Sequence, residues 1–435
     1  MGPPPHPVPS ADPRCSRPQG GADPGRGIAS RRGGVDRRPG RDSAGAVARG
    51  PGVPGGMTRT TRHRPTLRGP GLPGPGPHRL LVLVALTLLL GGCNPFYVAR
   101  AGVAQARILA SREPLHEVIL DPATDSRTAG KLTLVLEARE FAISELGFEN
   151  AGRAYTSLAR LPSDTLALVL SAAYRDRLAF RTWWFPITGH VPYRAYFSES
   201  GAVAARDRLE AEGFDTYLRP TAAFSTLGWF ADPLYSTLLR LDEVGLVETV
   251  LHELAHNHLF LPGQGRFNES WATFAGNAGA IAFFCGRPGG GPDTTWCLRA
   301  RDRWADAIDI STYLDELESS IRSIYAREDL DAPGKIALRD EVYGAALARF
   351  RSEVQPALRA TTYAYLAAEP LNNATLLART LYFHRLGDFQ AMLDAEGGDL
   401  RRIMARLRDE APGRGDPFEL LPGGATAGRA DGGSR

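Results

Sequence analysis

The segment His252-Glu253-Leu254-Ala255-His256 carries the residue types of a metal-dependent hydrolase. In an α-helix, residues four apart lie on one face about 6 Å apart along the axis, so both imidazoles can bind the same ion. Glu253 then lies beside the ion, where a carboxylate can act as a general base on a water molecule. The spacing therefore predicts His252 and His256 as metal ligands and Glu253 as the catalytic base. Zn²⁺ is the ion that such ligands favour, although other divalent ions bind similar sites.

The motif can position these groups only if the surrounding chain forms a buried helix. Asp242 stands where a helix would begin, and Pro262-Gly263 stands where it would end. Between them, apolar residues recur at helical spacing. They are Val244, Val247, Val250, Leu251 and Leu254. A buried helix that carries the motif is therefore predicted between these two points.

A third protein ligand is expected on the next element, because a catalytic zinc site combines three protein ligands with one open position. Glu269 is the best candidate, and twelve residues separate it from His256. We expect residues 261–266 to turn the chain and Asn268 to cap a second helix, from whose first turn Glu269 projects. An HExxH motif followed by an Asn-Glu pair resembles the gluzincins, including thermolysin, in which this interval is commonly longer.

Other polar residues are candidates for supporting roles. His258 is expected at the helix end or on the surface rather than at the ion. His190 is expected on the exposed face of a strand, with an orientation toward the site as the alternative. Gluzincins supply a downstream Tyr or His that stabilises the oxyanion, and the sequence does not single one out. The candidates are Tyr343, Tyr363, Tyr365, Tyr382 and His384. The acids available to bind a peptide α-amine are Asp232, Asp242, Glu243 and Glu248.

Residues 79–92 contain a short apolar run that ends in Gly-Gly before Cys93. The run is shorter than the roughly 20 residues that a membrane-spanning helix requires, so we interpret it as the apolar region of a signal peptide. Its ending resembles the lipobox of bacterial lipoproteins, which implies cleavage before Cys93 and a lipid anchor on that residue. Asn94 instead of Asp favours the outer membrane by the same resemblance. A start at Met57 would give a more ordinary signal peptide, and an internal membrane anchor is the alternative.

Cysteine usage agrees with export to the cell envelope. Besides Cys15 and Cys93, the chain has only Cys285 and Cys297, separated by a Gly- and Pro-rich segment that can bring them together. A disulfide between them is expected, because an oxidising compartment permits it. A contribution of both thiolates to a metal site is the alternative, although no further Cys or His lies nearby in the sequence.

The charge distribution argues against nucleic-acid binding. The formal net charge of the 435 residues is +3, and Arg is crowded into the first 78 residues. Lys131 and Lys335 are the only lysines, whereas a nucleic-acid site normally mixes Lys, Arg and aromatic residues on one face. Residues 1–78 are rich in Gly and Pro and poor in aliphatic residues, so we interpret them as a disordered or mis-assigned extension. Residues 93–410 are expected to form one domain, and residues 411–435 a disordered tail.

The predicted domain is of the α+β class, mostly helical, with a small mixed sheet before the motif helix. Residues 165–230 are rich in aromatic and β-branched residues broken by Pro and Gly, as strands are. Helical spacing dominates on both sides of them. A peptide substrate is expected to lie along an edge strand, for which residues 223–230 are the best candidate.

Three longer stretches, at residues 182–197, 223–284 and 371–386, and the Cys93 motif together resemble a bacterial family of predicted aminopeptidase lipoproteins. The resemblance covers most of residues 93–410. It implies a zincin-like fold, zinc peptidase chemistry at His252, Glu253, His256 and Glu269, a peptide as the partner, and a place in the cell envelope. Three alternatives remain open from the sequence. They are a non-catalytic lipoprotein with a binding role, an endopeptidase, and a hydrolase of cell-wall amides.

Overall fold

A computed structural model describes residues 110–161, 167–185, 189–221 and 232–423 of the chain. The predicted extension, the signal segment, the lipidation residue Cys93 and the edge strand at 223–230 all lie outside these residues. Everything that the structure describes belongs to one compact unit. Within the described chain, no helix combines the length and the apolar character needed to cross a membrane.

Most of the described chain is helical. The helices are α1 Leu115–Leu120, α2 Ser126–Ser144, α3 Glu199–Ala211, α4 Glu243–His258, α5 Gly265–Gly286, α6 Thr295–Tyr325, α7 Ala332–Arg349, α8 Gln355–Ala357, α9 Tyr365–Ala368, α10 Asn373–Thr380, α11 Leu386–Ala395 and α12 Leu400–Glu410. A π-helical segment, Phe350–Val354, joins α7 to α8. Four of these helices begin behind an aspartate whose side chain accepts a hydrogen bond from the first helical turn, which satisfies a backbone N–H that the helix leaves unpaired. The capping residues are Asp125, Asp242, Asp331 and Asp399.

The strands are short and all precede α4 in the sequence. They are β1 Glu113–Pro114, β2 Ser157–Ala159, β3 Ala167–Ala173, β4 Phe180–Arg181, β5 Trp183–Phe185, β6 Gly189–Val191, β7 Tyr193–Tyr196, β8 Asp215–Thr221 and β9 Leu234–Tyr235. In the largest sheet, β3 pairs antiparallel with β4, β7 and β8. In a second sheet, β2 pairs antiparallel with β1 and parallel with β9, and β5 and β6 form a separate pair. The predicted class, a mostly helical α+β fold with a small mixed sheet ahead of the motif helix, is confirmed.

Helix α4 lies in the middle of the main hydrophobic core. Residues 244–256 are all buried, and α4 packs most extensively against α5 and then against α2. The predicted disulfide is present, with the sulfur atoms of Cys285 and Cys297 1.97 Å apart. It joins the end of α5 to the beginning of α6, so the thiols are not metal ligands.

The structure differs from the sequence analysis in the outer elements. The chain remains folded beyond residue 410, because Phe418, Leu420 and Leu421 are buried against the core. After Asn372 the chain forms two separate helices, α10 and α11, and Arg385 directly before α11 has a φ of +55°, in the left-handed region that interrupts a helix. Helices α3 and α12 were not predicted, because Arg, Glu and Asp occupy much of their sequences and leave only a narrow apolar stripe.

Candidate metal and active site

Two adjacent helices bring the three predicted metal ligands together. His252 and His256 lie one turn apart on α4, and their ring centroids are 4.9 Å apart. Glu269 projects from α5, with its Oε2 atom 3.4 Å from His252 Nε2 and 3.6 Å from His256 Nε2. One ligand atom from each residue lies within 4.8 Å of the other two. The three side chains therefore converge on one point.

The protonation states of these side chains suit a metal. Burial lowers the pKa of His252 below its ordinary value, although the adjacent carboxylate of Glu269 opposes this effect. Burial acts to raise the pKa of Glu269, but the adjacent imidazoles of His256 and His252 hold it well below its ordinary value. A neutral imidazole at His252 and an ionised carboxylate at Glu269 are the forms in which these two side chains bind a divalent cation.

Buried polar atoms without hydrogen-bond partners provide a second test of whether these residues fit a metal ion. Within the described chain, His252 Nε2, both ring nitrogens of His256 and Glu269 Oε2 are buried and lack a hydrogen-bond partner of good geometry. Buried polar atoms are almost always paired in folded proteins, because an unpaired one costs about 1–3 kcal/mol. A divalent cation at the point of convergence would bind the two Nε2 atoms and the carboxylate oxygen. The residues present therefore fit a zinc ion.

The connection between α4 and α5 fixes the position of Glu269. Asn268 accepts a hydrogen bond from the backbone N–H of Leu261, 2.9 Å away, and donates one to the Leu261 carbonyl, 2.8 Å away. Trp271 donates to the carbonyl of Leu259 across 3.3 Å. The prediction that Asn268 caps the helix is wrong, because α5 begins earlier, behind Gln264. Asn268 instead ties the first turn of α5 to the loop that precedes it.

Close packing of the two helices depends on a glycine. A Cβ atom on Gly276 of α5 would lie 2.6 Å from the carbonyl oxygen of Glu248 and 3.2 Å from Cβ of His252, both on α4. Contacts this short do not occur, so only glycine permits the approach. The glycine thus determines how near α5, and with it Glu269, comes to the two histidines.

Glu253 and Tyr155 extend the site on one side of the ligands. Glu253 follows His252 on α4 and is almost completely buried. Burial, and then the nearby carboxylates of Glu253 and Asp232, raise the pKa of Tyr155 well above its ordinary value. The backbone N–H of Tyr155 also donates to the Asp232 carbonyl across 2.8 Å. Asp232 thus lies in the electrostatic environment of the site.

Among the downstream Tyr and His candidates, Tyr382 is the one that the structure places beside the histidines. Its ring stacks on that of His252, with centroids 6.2 Å apart and planes inclined by 24°. Burial raises its pKa well above the ordinary value, and Glu269 and Glu253 raise it further. The hydroxyl is therefore protonated at neutral pH and is a hydrogen-bond donor near both carboxylates. The guanidinium group of Arg219, on β8, lies near the Tyr382 ring, with Cζ 5.9 Å from the ring centroid.

The remaining candidates have other positions. Tyr343 donates a hydrogen bond to Asn373, Tyr363 packs against Phe383, and His190 lies on an exposed strand beside Thr182. His258 is the last residue of α4, in agreement with the expected position at the helix end. It is buried and not on the surface: its ring stacks on Phe148, and its Nε2 atom lies 3.2 Å from the Met404 carbonyl oxygen. Of the proposed amine-binding acids, Asp242 caps α4 and pairs with Arg299, and Glu248 pairs with Arg303.

A second group of potential ligands lies elsewhere in the described chain, formed by Asp315, Glu318 and His384. His384 Nδ1 is 2.5 Å from Asp315, and Glu318 Oε1 accepts hydrogen bonds from Arg266 at 2.9 Å and Arg322 at 2.7 Å. Because two guanidinium groups already neutralise Glu318, this group is an ion-pair network.

A comparison with protein-family models gives a match to the family described as "Putative aminopeptidase" over residues 96–412, which is more than half of the chain. The chain belongs to this family. The match agrees with the resemblance of the sequence to a family of predicted aminopeptidases. Residues 96–412 include every residue of the site described above. No curated protein and no solved structure shows a significant match.

Proposed function

We propose that this member of the putative aminopeptidase family is a zinc-dependent aminopeptidase of the bacterial cell envelope. One observation carries the proposal, namely that His252, His256 and Glu269 converge beside the buried Glu253. Two imidazoles, one carboxylate and an adjacent base are the parts that a zinc hydrolase requires. The family description supports the narrower choice of a peptidase that acts at the N-terminus of its substrate.

The side chains at the site have distinct roles in the proposed reaction. A bound zinc ion would supply Lewis-acid chemistry at the scissile carbonyl and would make the attacking water more acidic. Glu253 removes a proton from that water and later delivers a proton to the leaving amine. Tyr382 donates a hydrogen bond to the oxygen on which negative charge develops, because its raised pKa keeps the hydroxyl protonated.

An aminopeptidase must also bind a free α-amine. Among the four acids considered from the sequence, Asp242 caps α4 and Glu243 lies in its first turn, far along the helix from the motif. Asp232 is buried and acts electrostatically on Tyr155 together with Glu253. We therefore assign the α-amine to Asp232, which favours an exopeptidase over an endopeptidase.

The cellular location forms part of the same proposal. The short apolar run before Cys93 supports a lipid on that residue, and the disulfide between Cys285 and Cys297 agrees with an oxidising compartment. A Cys93→Ser variant should leave the membrane fraction for the soluble fraction of the envelope. Retention of the variant on membranes would contradict the lipid anchor without affecting the proposed chemistry.

The central test compares the full chain with Glu253→Gln, both purified with a tag that contains no histidine. We expect stoichiometric zinc in both proteins by elemental analysis, and hydrolysis of aminoacyl substrates only by the wild type. Glu243→Gln is the matched control, because it removes a carboxylate from the same helix at a distance from the motif. Absence of zinc from the wild type would overturn the proposal. Zinc without turnover on any peptide would favour a binding role.

A further inference from the structure

A narrow pocket lies directly beside the candidate metal site. It is lined by β8, by α9, and by α10 together with the residues that directly follow α10. Its polar lining consists of two arginines and three tyrosines. They are Arg219, Arg379, Tyr217, Tyr365 and Tyr382. Because Tyr382 also stacks on His252, the pocket and the metal site share one wall.

Both arginines are buried with hydrogen-bond donors unused. Arg219 is 7% exposed and Arg379 is 4% exposed. Arg379 donates through Nη2 to the carbonyl of Tyr365 across 3.3 Å. Within the described ranges, however, Arg219 Nη1 and both Nε and Nη1 of Arg379 have no hydrogen-bond partner. The two guanidinium groups therefore present three free N–H-bearing nitrogens inside the protein.

Among the residues that the structure describes, neither cation has an acidic partner at contact distance. Of the ion pairs that the described residues form, none includes Arg219 or Arg379. Glu269 acts on Arg219 electrostatically without forming an ion pair with it. Contacts with the rings of Tyr382 and Tyr217 stabilise the two cations only in part. A buried charge without a partner is costly, and a carboxylate matches the planar fork of a guanidinium with two parallel hydrogen bonds.

We propose that this pocket is a subsite that binds a carboxylate of the peptide substrate through Arg219 and Arg379. The inference rests on the proposed peptidase function and specifies its substrate class. The ring of His252 lies 6.2 Å from that of Tyr382, which lies 5.9 Å from Arg219 Cζ. An extended peptide advances about 3.3–3.6 Å per residue. The bound carboxylate therefore lies within a few residues of the scissile bond, as in a short peptide with a free C-terminus.

The first experiment uses the wild-type protein and pairs of substrates that differ by one charge. Alanyl-alanine is compared with its C-terminal amide, and alanyl-glutamic acid amide with alanyl-glutamine amide. A carboxylate held by charged hydrogen bonds should raise kcat/KM at least about tenfold. A preference confined to the first pair identifies the free C-terminus, and one confined to the second identifies an acidic side chain. Equal rates within both pairs would overturn the subsite.

Two variants connect the preference to the arginines. Arg219→Gln and Arg379→Gln should each reduce the ratio of rates for the acid and the amide, while zinc content and the circular dichroism spectrum remain those of the wild type. Arg299→Gln is the matched control, because its guanidinium pairs with Asp242 away from the pocket. Retention of the full ratio in both pocket variants would contradict the assignment, and the wild-type comparison stands even if one variant does not fold.

A binding measurement separates this inference from the proposed function. The same substrate pairs are titrated by calorimetry into Glu253→Gln, in which turnover is not required. Tighter binding of the acid than of the amide, lost when Arg219→Gln is added, would support the subsite even if the protein hydrolysed no peptide. Equal affinity for acid and amide would overturn the subsite even if the wild type proved to be an active aminopeptidase.

Discussion

The role of the Tyr382 hydroxyl can be tested by a substitution that removes only its oxygen atom. Tyr382→Phe retains the ring that stacks on His252, so zinc content should not change. The variant should lose about 10²–10³-fold in kcat, because it lacks the donor that stabilises developing negative charge. Steady-state kinetics on an aminoacyl substrate, with zinc measured in parallel, provide the check.

Tyr343→Phe is the control for that prediction. Tyr343 is also buried, and its hydroxyl donates to Asn373 across 2.7 Å, outside the metal site. Its loss should reduce the free energy of unfolding by about 1–3 kcal/mol, because Asn373 Oδ1 loses its donor, and should leave kcat unchanged. If the two variants showed the same kcat, Tyr382 would have only a packing role.

At the residue scale, the sequence predicted what depends on local spacing. The convergence of His252 and His256 follows from the helical repeat, and Glu269 follows from a short turn between two helices. Tyr382 could not be distinguished from four other downstream candidates, because its proximity to His252 depends on how the segment after α10 packs against α4. Arg219 was not considered at all, since an arginine on a strand gives no sequence signal that it points into the protein.

At the element scale, Gly276 sets the separation of α4 and α5. Gly276→Ala would place a methyl group 2.6 Å from the Glu248 carbonyl oxygen, so the helices must move apart. Overpacking of this kind costs about 1–3 kcal/mol, which denaturant unfolding measures. The movement also displaces Glu269 from the histidines, so zinc affinity in a chelator competition should fall at least about tenfold.

The same helix provides the control for that substitution. Gly286 is the last residue of α5, and a Cβ atom there would meet no atom within 4 Å. Gly286→Ala should therefore change stability by no more than about 1 kcal/mol and leave zinc affinity unaltered. Wild-type zinc affinity in Gly276→Ala would show that the close approach of the helices does not position the ligands.

The elements that the sequence predicted best are those with strong periodic patterns. Helices α4 and α5 correspond to the predicted motif helix and to the predicted helix after it, because each has a continuous apolar face against the core. The separation of α10 from α11 and the folded segment at residues 411–423 were not predicted, because both depend on contacts with distant parts of the chain. Phe418, for example, packs against Phe267 and His384.

At the scale of the whole molecule, the disulfide connects the helix that carries Glu269 to α6, the longest helix among the described residues. Replacing both Cys285 and Cys297 with Ser should reduce the free energy of unfolding by about 3 kcal/mol, because the crosslink closes a loop of about a dozen residues in the unfolded chain. Urea unfolding of the wild type and the double variant measures the difference. Kinetic constants should be retained, since Glu269 lies at the opposite end of α5.

Dithiothreitol provides an independent check of the disulfide. Reduction should lower the urea midpoint of the wild type to that of the double variant, and it should have no effect on the variant itself. An unchanged wild-type midpoint after complete reduction, measured by thiol titration, would show that packing between α5 and α6 suffices without the crosslink.

The two hydrogen bonds by which Asn268 holds Leu261 also have a consequence for sequence comparison. They close the loop between α4 and α5 at its present length, so an inserted or deleted residue would disturb the closure that positions Glu269 beside the histidines. The interval of twelve residues after His256, with Asn directly before Glu, is therefore a strict pattern. It can identify distant chains that share this site even where the surrounding sequence no longer aligns.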